Sequence, residues 1–458
     1  MPSVTYIHAG QVLTREGWRD SVRLHVQSGR VVALHVGVPP ESGDERHGVL
    51  VPALGNLHSH AFQRAMAGLA EVSGDSADNF WSWREAMYRL AHRMNPEQLE
   101  AVATQAYVEM LECGFGRVGE FHYLHHDPAG APYADVGEMS ASIVAAAEAS
   151  GIGLTLLPVF YAHSTFGGAS PKPAQRRFLN TLESYEALLQ RCRTLASRFQ
   201  SAIVGVAPHS LRAVTPQELT AVAGFAGESP VHIHVAEQLR EVDECLEWSG
   251  QRPVEWLLDH APVARNWCLV HATHVTQQEL QGIAGSGAVV GLCPVTEANL
   301  GDGVFPVAGL LDAQGRFGIG TDSNVHISVA AELSLLEYSQ RLTERGRNVV
   351  RQEKHSTGRA IIEIALAGGA QALGQSSGVN GGAIAEGSPA DFVSLNEQHP
   401  ALICRSADAL LDSWIFASSG HVVDCVWVAG RKVVSQGRHA AREQVAGRFA
   451  KAMKELHS

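Results

Sequence analysis

Eight apolar runs of strand length, separated by stretches with helical periodicity, constrain this chain more than any other feature. They read VLVPALGNLH, GFGRVGEFHY, GLTLLPVFY, AIVGVAPHS, VHIHVAE, CLVHATH, AVVGLCPVTE and RFGIGTDSN. Continuous β-rich runs that alternate with helices belong in a parallel sheet covered by those helices. The intervening pieces suit the part: NPEQLEAVATQAYVEMLEC opens on an Asn-Pro helix start, and GEMSASIVAAAEAS follows the second run. Eight such repeats predict an α/β fold, a (β/α)8 TIM-type barrel.

The flanks follow a different grammar. Residues 1–50 alternate in short strand-like segments broken by Gly and charged turns, and the same pattern returns in GGAIAEGSPADFVSL and HVVDCVWVAGRKVVSQGR. The predicted division is therefore 1–50 and 376–458 as two parts of a small β-sandwich domain, with the barrel at 51–375 inserted between them. A length of 458 residues accommodates a barrel of about 250 or more residues plus such a unit.

Composition narrows the class. With 45% hydrophobic and 18% charged residues the chain can bury a sizeable core. A net charge of -12 with no basic run argues against nucleic acid and membrane surfaces as partners, though a local site can still attract an anion. The seven cysteines are scattered without a CxxC pair, which fits a reducing compartment. The N-terminus shows no basic-then-apolar leader, and no run reaches the ~18 apolar residues of a membrane span. The expectation is a cytoplasmic protein.

Several of the eight runs turn polar at their C-terminal ends, where such barrels carry chemistry. His58 and His60 close the first run, two apart, so that on a strand they share a face. His234 and Glu237 close the fifth, His271 the sixth, and Asp322 the eighth. Taken singly, each has a bland explanation: a polar stripe, a hydrogen-bonded core histidine, a helix-dipole acid, a cap. Taken together at three of these strand ends, His58, His60, His234 and Asp322 form a ligand set for one divalent ion with a position left for water. Zinc leads, and iron accepts the same set. The ion would lower the pKa of that water toward ~7. Glu237 is then the proton carrier to the leaving nitrogen, His271 polarises the attacked group, and Asp322 accepts a proton on collapse. The fourth run offers no Lys to bridge two metals, so a mononuclear centre is expected.

The ordered set HSH, HVAE, His271 and TDS resembles the mononuclear deaminases of the amidohydrolase superfamily over nearly the whole chain. NLHSHAFQRAMAGLAE followed by NFWSWREAMYRL is similar, more narrowly, to the superfamily's deiminases of N-formimino-L-glutamate. That resemblance implies hydrolysis of a formimino group to formyl with release of ammonia in histidine degradation, and a homodimer. The fourth run continues as APHSLR, placing Arg212 where related ring deaminases carry an aromatic residue. A guanidinium there would pair bidentately with a carboxylate, which implies a small anionic, amino-acid-derived substrate. Arg84, Tyr123, Gln63 and His209 are the further substrate-binding candidates. For Arg84 the alternative is a helix surface, for Tyr123 packing at the rim, and Trp81 and Trp83 are expected to pack. Two other functions compete: an aminohydrolase of a purine, pterin or triazine-like ring, and a silent scaffold. Arg212 counts against the first, and retention of Glu237 beside a full ligand set counts against the second.

Overall fold

The structure is a computed structural model, and it describes residues 4–72, 79–199, 201–375, 382–420 and 422–458. Four strands come first: β1 (Val4–Thr14), β2 (Gly17–Gln27), β3 (Arg30–Val36) and β4 (Glu45–Pro52). The middle of the chain supplies β5 (Leu54–Ser59), β6 (Phe115–His122), β7 (Gly153–Phe160), β8 (Ile203–Val204), β9 (Ala207–Pro208), β10 (Val231–Val235), β11 (Trp267–His271), β12 (Val289–Leu292) and β13 (Arg316–Ile319). The last four are β14 (Phe392–Leu395), β15 (Val423–Val428), β16 (Arg431–Ser435) and β17 (Arg438–His439).

The strands from the two ends of the chain form one sheet, in the order β17-β16-β15-β14-β4-β1-β2-β3. Its seam is β14 running antiparallel to β4, with Phe392 opposite Pro52 and Leu395 opposite Val49. This sheet has a core of its own, in which Ile7, Val12, Leu24 and Val31 meet Phe392 and Trp427.

The middle strands form two parallel sheets, β5-β6-β7-β8 with β9 also on β7, and β10-β11-β12-β13. Lone parallel bridges link their outer strands at both edges: Ser59 with Asp322 on one side, Val206 with Val231 and Ser210 with His234 on the other. Every residue of β6, β7, β10, β11 and β12 is buried, as strands covered on both faces require. The covering helices start on clear signals. Asn95 caps Pro96–Glu112 by accepting from the Gln98 amide, and Thr276 caps Gln277–Ser286 in the same way through Glu279.

Three sequence expectations need adjustment. The first apolar run is two strands, because Val49–Pro52 hydrogen-bonds into the terminal sheet and only Leu54–Ser59 enters the parallel one. Pro52 lacks the amide that would carry the ladder across. The seventh run is a strand only to Leu292, after which Pro294–Leu300 is helical. The fourth run is two short pieces around Gly205, where a side chain would strike the Pro230 carbonyl at 2.5 Å. The C-terminal boundary expected at 376 lies outside the described residues. Beyond the last strand, Arg442–Leu456 packs on Pro96–Glu112, with Arg448 to Glu100 and Arg442 to Glu112 as ion pairs. Among the described residues no helix is long and apolar enough to cross a membrane.

Candidate active site

The functional side chains sit where strands end. His58 lies in β5 and His60 directly after it, His234 lies in β10, His271 ends β11, and Asp322 follows β13. These ends are conformationally unusual. Ala236, His271, Ala272 and Asp322 are non-glycine residues with φ of +52°, +67°, +47° and +44°. Such backbone costs on the order of 1–3 kcal/mol per residue and persists only where the surroundings over-determine it. Here they do: the Asp322 amide donates to the His58 carbonyl at 2.9 Å and the His60 amide to the Asp322 carbonyl at 2.8 Å. Asn56 clamps the same turn, donating to the Thr321 hydroxyl at 2.7 Å and accepting from the Thr321 amide at 3.0 Å.

Four ligand atoms converge. His58 Nε2 is 3.2 Å from His60 Nε2 and 3.0 Å from His234 Nε2, and Asp322 Oδ1 is 3.5 and 3.2 Å from the first two. On their far sides His60 Nδ1 and His234 Nδ1 donate to the carbonyls of Phe121 (2.9 Å) and His209 (3.0 Å). That fixes both rings as the tautomer with a bare lone pair on Nε2. Burial lowers the pKa of all three histidines, His58 to about 3, so they stay neutral. Burial pushes the Asp322 carboxyl up, but the histidines gathered around it, with protonated His271 among them, outweigh burial and hold it low. Neutral imidazoles facing one another with lone pairs, beside a carboxylate, need a cation between them. The donor set fits a divalent metal, with His58, His60, His234 and Asp322 as its holders.

This centre opens into a cavity. Glu237 and His271 face each other in it, with Glu237 Oε1 3.8 Å from His271 Nε2 and Asp322 Oδ2 at the same distance from that nitrogen. Burial raises the Glu237 carboxyl to about 7. For His271 burial opposes the charge, but the carboxylates of Glu237, Glu297 and Asp322 outweigh it and lift the imidazole to about 10. Its Nδ1 lies 3.2 Å from Glu297 Oε1.

All five substrate-binding candidates, Gln63, Arg84, Tyr123, His209 and Arg212, line the same cavity. Gln63 donates to the Tyr123 hydroxyl at 2.8 Å. Arg212 is 6% exposed, with Nη2 3.7 Å from Glu241 and 4.0 Å from Glu237. Arg84 stacks on Trp81 at 4.5 Å, and its helix, Phe80–Ala91, turns Trp83, Met87 and Tyr88 into the cavity as well. Trp83 is thus a wall residue, where packing alone was expected. Sequence reasoning also missed Tyr161 and Phe178, which complete the aromatic wall, and Glu297, Glu241 and Asn56, which hold functional groups in place. Glu241 alone left a trace, a second acid four residues after Glu237.

The amidohydrolase family model matches residues 49–433, and the N-terminal domain of formimidoylglutamate deiminase matches residues 4–48. The chain belongs to the amidohydrolase family. It is 49% identical to formimidoylglutamate deiminase of Pseudomonas aeruginosa, over 98% of this chain and 99% of that protein. It is 27% identical to 8-oxoguanine deaminase of the same organism, over 83% of each. The crystal structure of an amidohydrolase from Brucella melitensis superposes with a TM-score of 0.96 at 52% identity, covering 99% of this chain and 100% of that one. Atrazine chlorohydrolase from Arthrobacter aurescens, complexed with zinc, shares the fold at a TM-score of 0.82 and 19% identity, covering 98% of this chain and all of that one.

Proposed function

We propose that this protein is a metal-dependent deiminase that hydrolyses N-formimino-L-glutamate to N-formyl-L-glutamate and ammonia in histidine degradation. The observation that carries the reading is Arg212, a buried guanidinium at the wall of a cavity whose floor is a metal-ligand cluster. A neutral ring gains little from it, whereas an amino-acid carboxylate gains a charge-assisted pair. The 49% identity to a formimidoylglutamate deiminase along nearly the whole chain supports the same substrate.

In this reading His58, His60, His234 and Asp322 would hold one zinc ion, which would supply a water activated for attack at neutral pH. Ionised Glu237 takes a proton from that water as its oxygen bonds the formimino carbon. The carbon becomes tetrahedral, carrying the new oxygen and both nitrogens. His271, held protonated, donates a hydrogen bond to that oxygen. With the formimino group bound as its amidinium cation, the returned proton from Glu237 makes the terminal nitrogen –NH3+, and Asp322 accepts the remaining oxygen-borne proton as the C–N bond breaks and neutral ammonia leaves. Gln63 orients the formimino end, Arg212 with His209 beside it takes one carboxylate, and Arg84 with Tyr123 takes the other.

The same reading assigns the two bridged parallel sheets to a closed (β/α)8 barrel, expected at residues 51–375 and entered at Leu54, since Val51 and Pro52 pair in the terminal sheet. The terminal sheet, folded on its own core, is then a small β-sandwich domain built from 1–50 and 376–458. A homodimer in the cytoplasm completes it. Steady-state ammonia release from N-formimino-L-glutamate by metal-analysed protein tests the proposal, with 8-oxoguanine as the ring comparison. Turnover of the formimino compound with little release from the ring is expected. The reverse preference would overturn the reading.

A further inference from the structure

Arg212 lies near two carboxylates, and the two do different things. Glu237 faces the cavity and is 5% exposed, whereas Glu241 is fully buried in the first turn of the helix Leu239–Ser249. Glu241 reaches back to the end of β10, where its Oε1 accepts from the Ala236 amide at 3.1 Å and its Oε2 from the Glu237 amide at 3.3 Å. Those amides belong to the turn that passes through left-handed backbone at Ala236. The same Oε2 is 3.7 Å from Arg212 Nη2, nearer than Glu237 at 4.0 Å. Arg212 Nε is buried with no hydrogen-bond partner among the described residues.

A buried guanidinium seeks its strongest counter-charge, because an unpaired charge in a low dielectric is costly. Without Glu241 the remaining carboxylate for Arg212 would be Glu237, the group that must stay free to carry a proton. We propose that Glu241 is a positioning residue that holds Arg212 away from Glu237, keeping the guanidinium available to a substrate carboxylate and the Glu237 carboxylate available to the reaction. One side chain would thereby set both the strained turn that aims Glu237 and the cation that reads the substrate. This inference rests on the deiminase reading for the identity of that carboxylate, but not for the pairing of Arg212.

A double-mutant cycle tests it. Glu241→Gln keeps the size but gives up the charge and one acceptor. It should lower kcat/KM for N-formimino-L-glutamate at least about tenfold, with KM raised and metal content unchanged. Glu241→Asp keeps the charge and should recover most of that loss. In an Arg212→Met background the KM effect of Glu241→Gln should largely vanish, since residues acting through one contact are not additive. Undiminished, additive losses would mean that Glu241 does not act through Arg212 and would overturn the proposal. A crystal structure of Glu241→Gln gives a readout independent of substrate. Arg212 is expected to close on Glu237 to ordinary ion-pair distance, and an unmoved guanidinium would refute the idea. Should the wild type release no ammonia from N-formimino-L-glutamate, the substrate reading alone would fail, and the structure would decide the role of Glu241.

Discussion

The floor and the wall of the cavity are built on different principles. The floor is made by strand ends: His58, His60, His234, His271 and Asp322 hang from backbone that is buried, cross-bridged and in places left-handed. The wall is a helix face, Phe80–Ala91, whose Trp83, Arg84, Met87 and Tyr88 line the cavity, with Tyr161 and Phe178 beside them. A strand end fixes a side chain through ladder hydrogen bonds on both sides, which suits ligand atoms that must all meet within 4.8 Å of one another. A helix holds its residues through packing, and its surface can be exchanged without disturbing the ladder. In the proposed reading the floor carries the chemistry and the wall the selectivity. Arg212, on the segment after β9, is where the two meet.

The comparison predicts a steep hierarchy of effects. Replacing both His58 and His60 with Ala should remove the metal and, with it, all measurable turnover. Metal analysis of the double variant checks this, and full occupancy would sink the ligand assignment. Glu237→Gln and His271→Asn lie on the same floor but outside the ligand set. Each should keep the metal and lose about 10²–10⁴ in kcat, the usual worth of a positioned proton carrier. Near wild-type turnover by either would remove that residue from the mechanism. The pH profile sharpens the point. Burial raises the Glu237 carboxyl to about 7, so kcat/KM should fall as the pH drops below that value and Glu237 becomes protonated and unable to accept. Glu237→Gln should flatten this acid limb. The smallest effect belongs to the wall. Arg84 is half-buried and stacked on Trp81, so Arg84→Met should raise KM by about tenfold, roughly 1.4 kcal/mol, with kcat and metal little changed. An effect on metal content would mean that the helix supports the floor after all.

The floor was legible in the sequence and most of the wall was not, for a physical reason. Ligand histidines and acids at the polar ends of apolar runs leave a pattern in which residue type and position coincide. His58, His60, His234 and Asp322 do meet. Wall residues such as Phe178 and Tyr161 are aromatic side chains that sequence cannot tell from core. Trp83 illustrates the ambiguity, since one indole can pack and face a cavity at once. Glu297 and Glu241 escaped because a buried acid that serves another side chain declares itself only through distance. Strand limits suffered likewise. The junction at Pro52 and Ala53 separates two sheets, although the apolar run continues straight through it.

The most direct test of the division between floor and wall is a single comparison at Arg212. Wild type and Arg212→Met, both analysed for metal, would be assayed on N-formimino-L-glutamate and on its analogue with both carboxylates capped as amides. Removing one partner of a buried ionic pair costs about 2–5 kcal/mol, so the variant should lose about 10² or more in kcat/KM on the free acid while keeping its metal. Capping should harm the wild type far more than the variant. Equal sensitivity of the two proteins to capping would contradict the account, because Arg212 would then read no carboxylate.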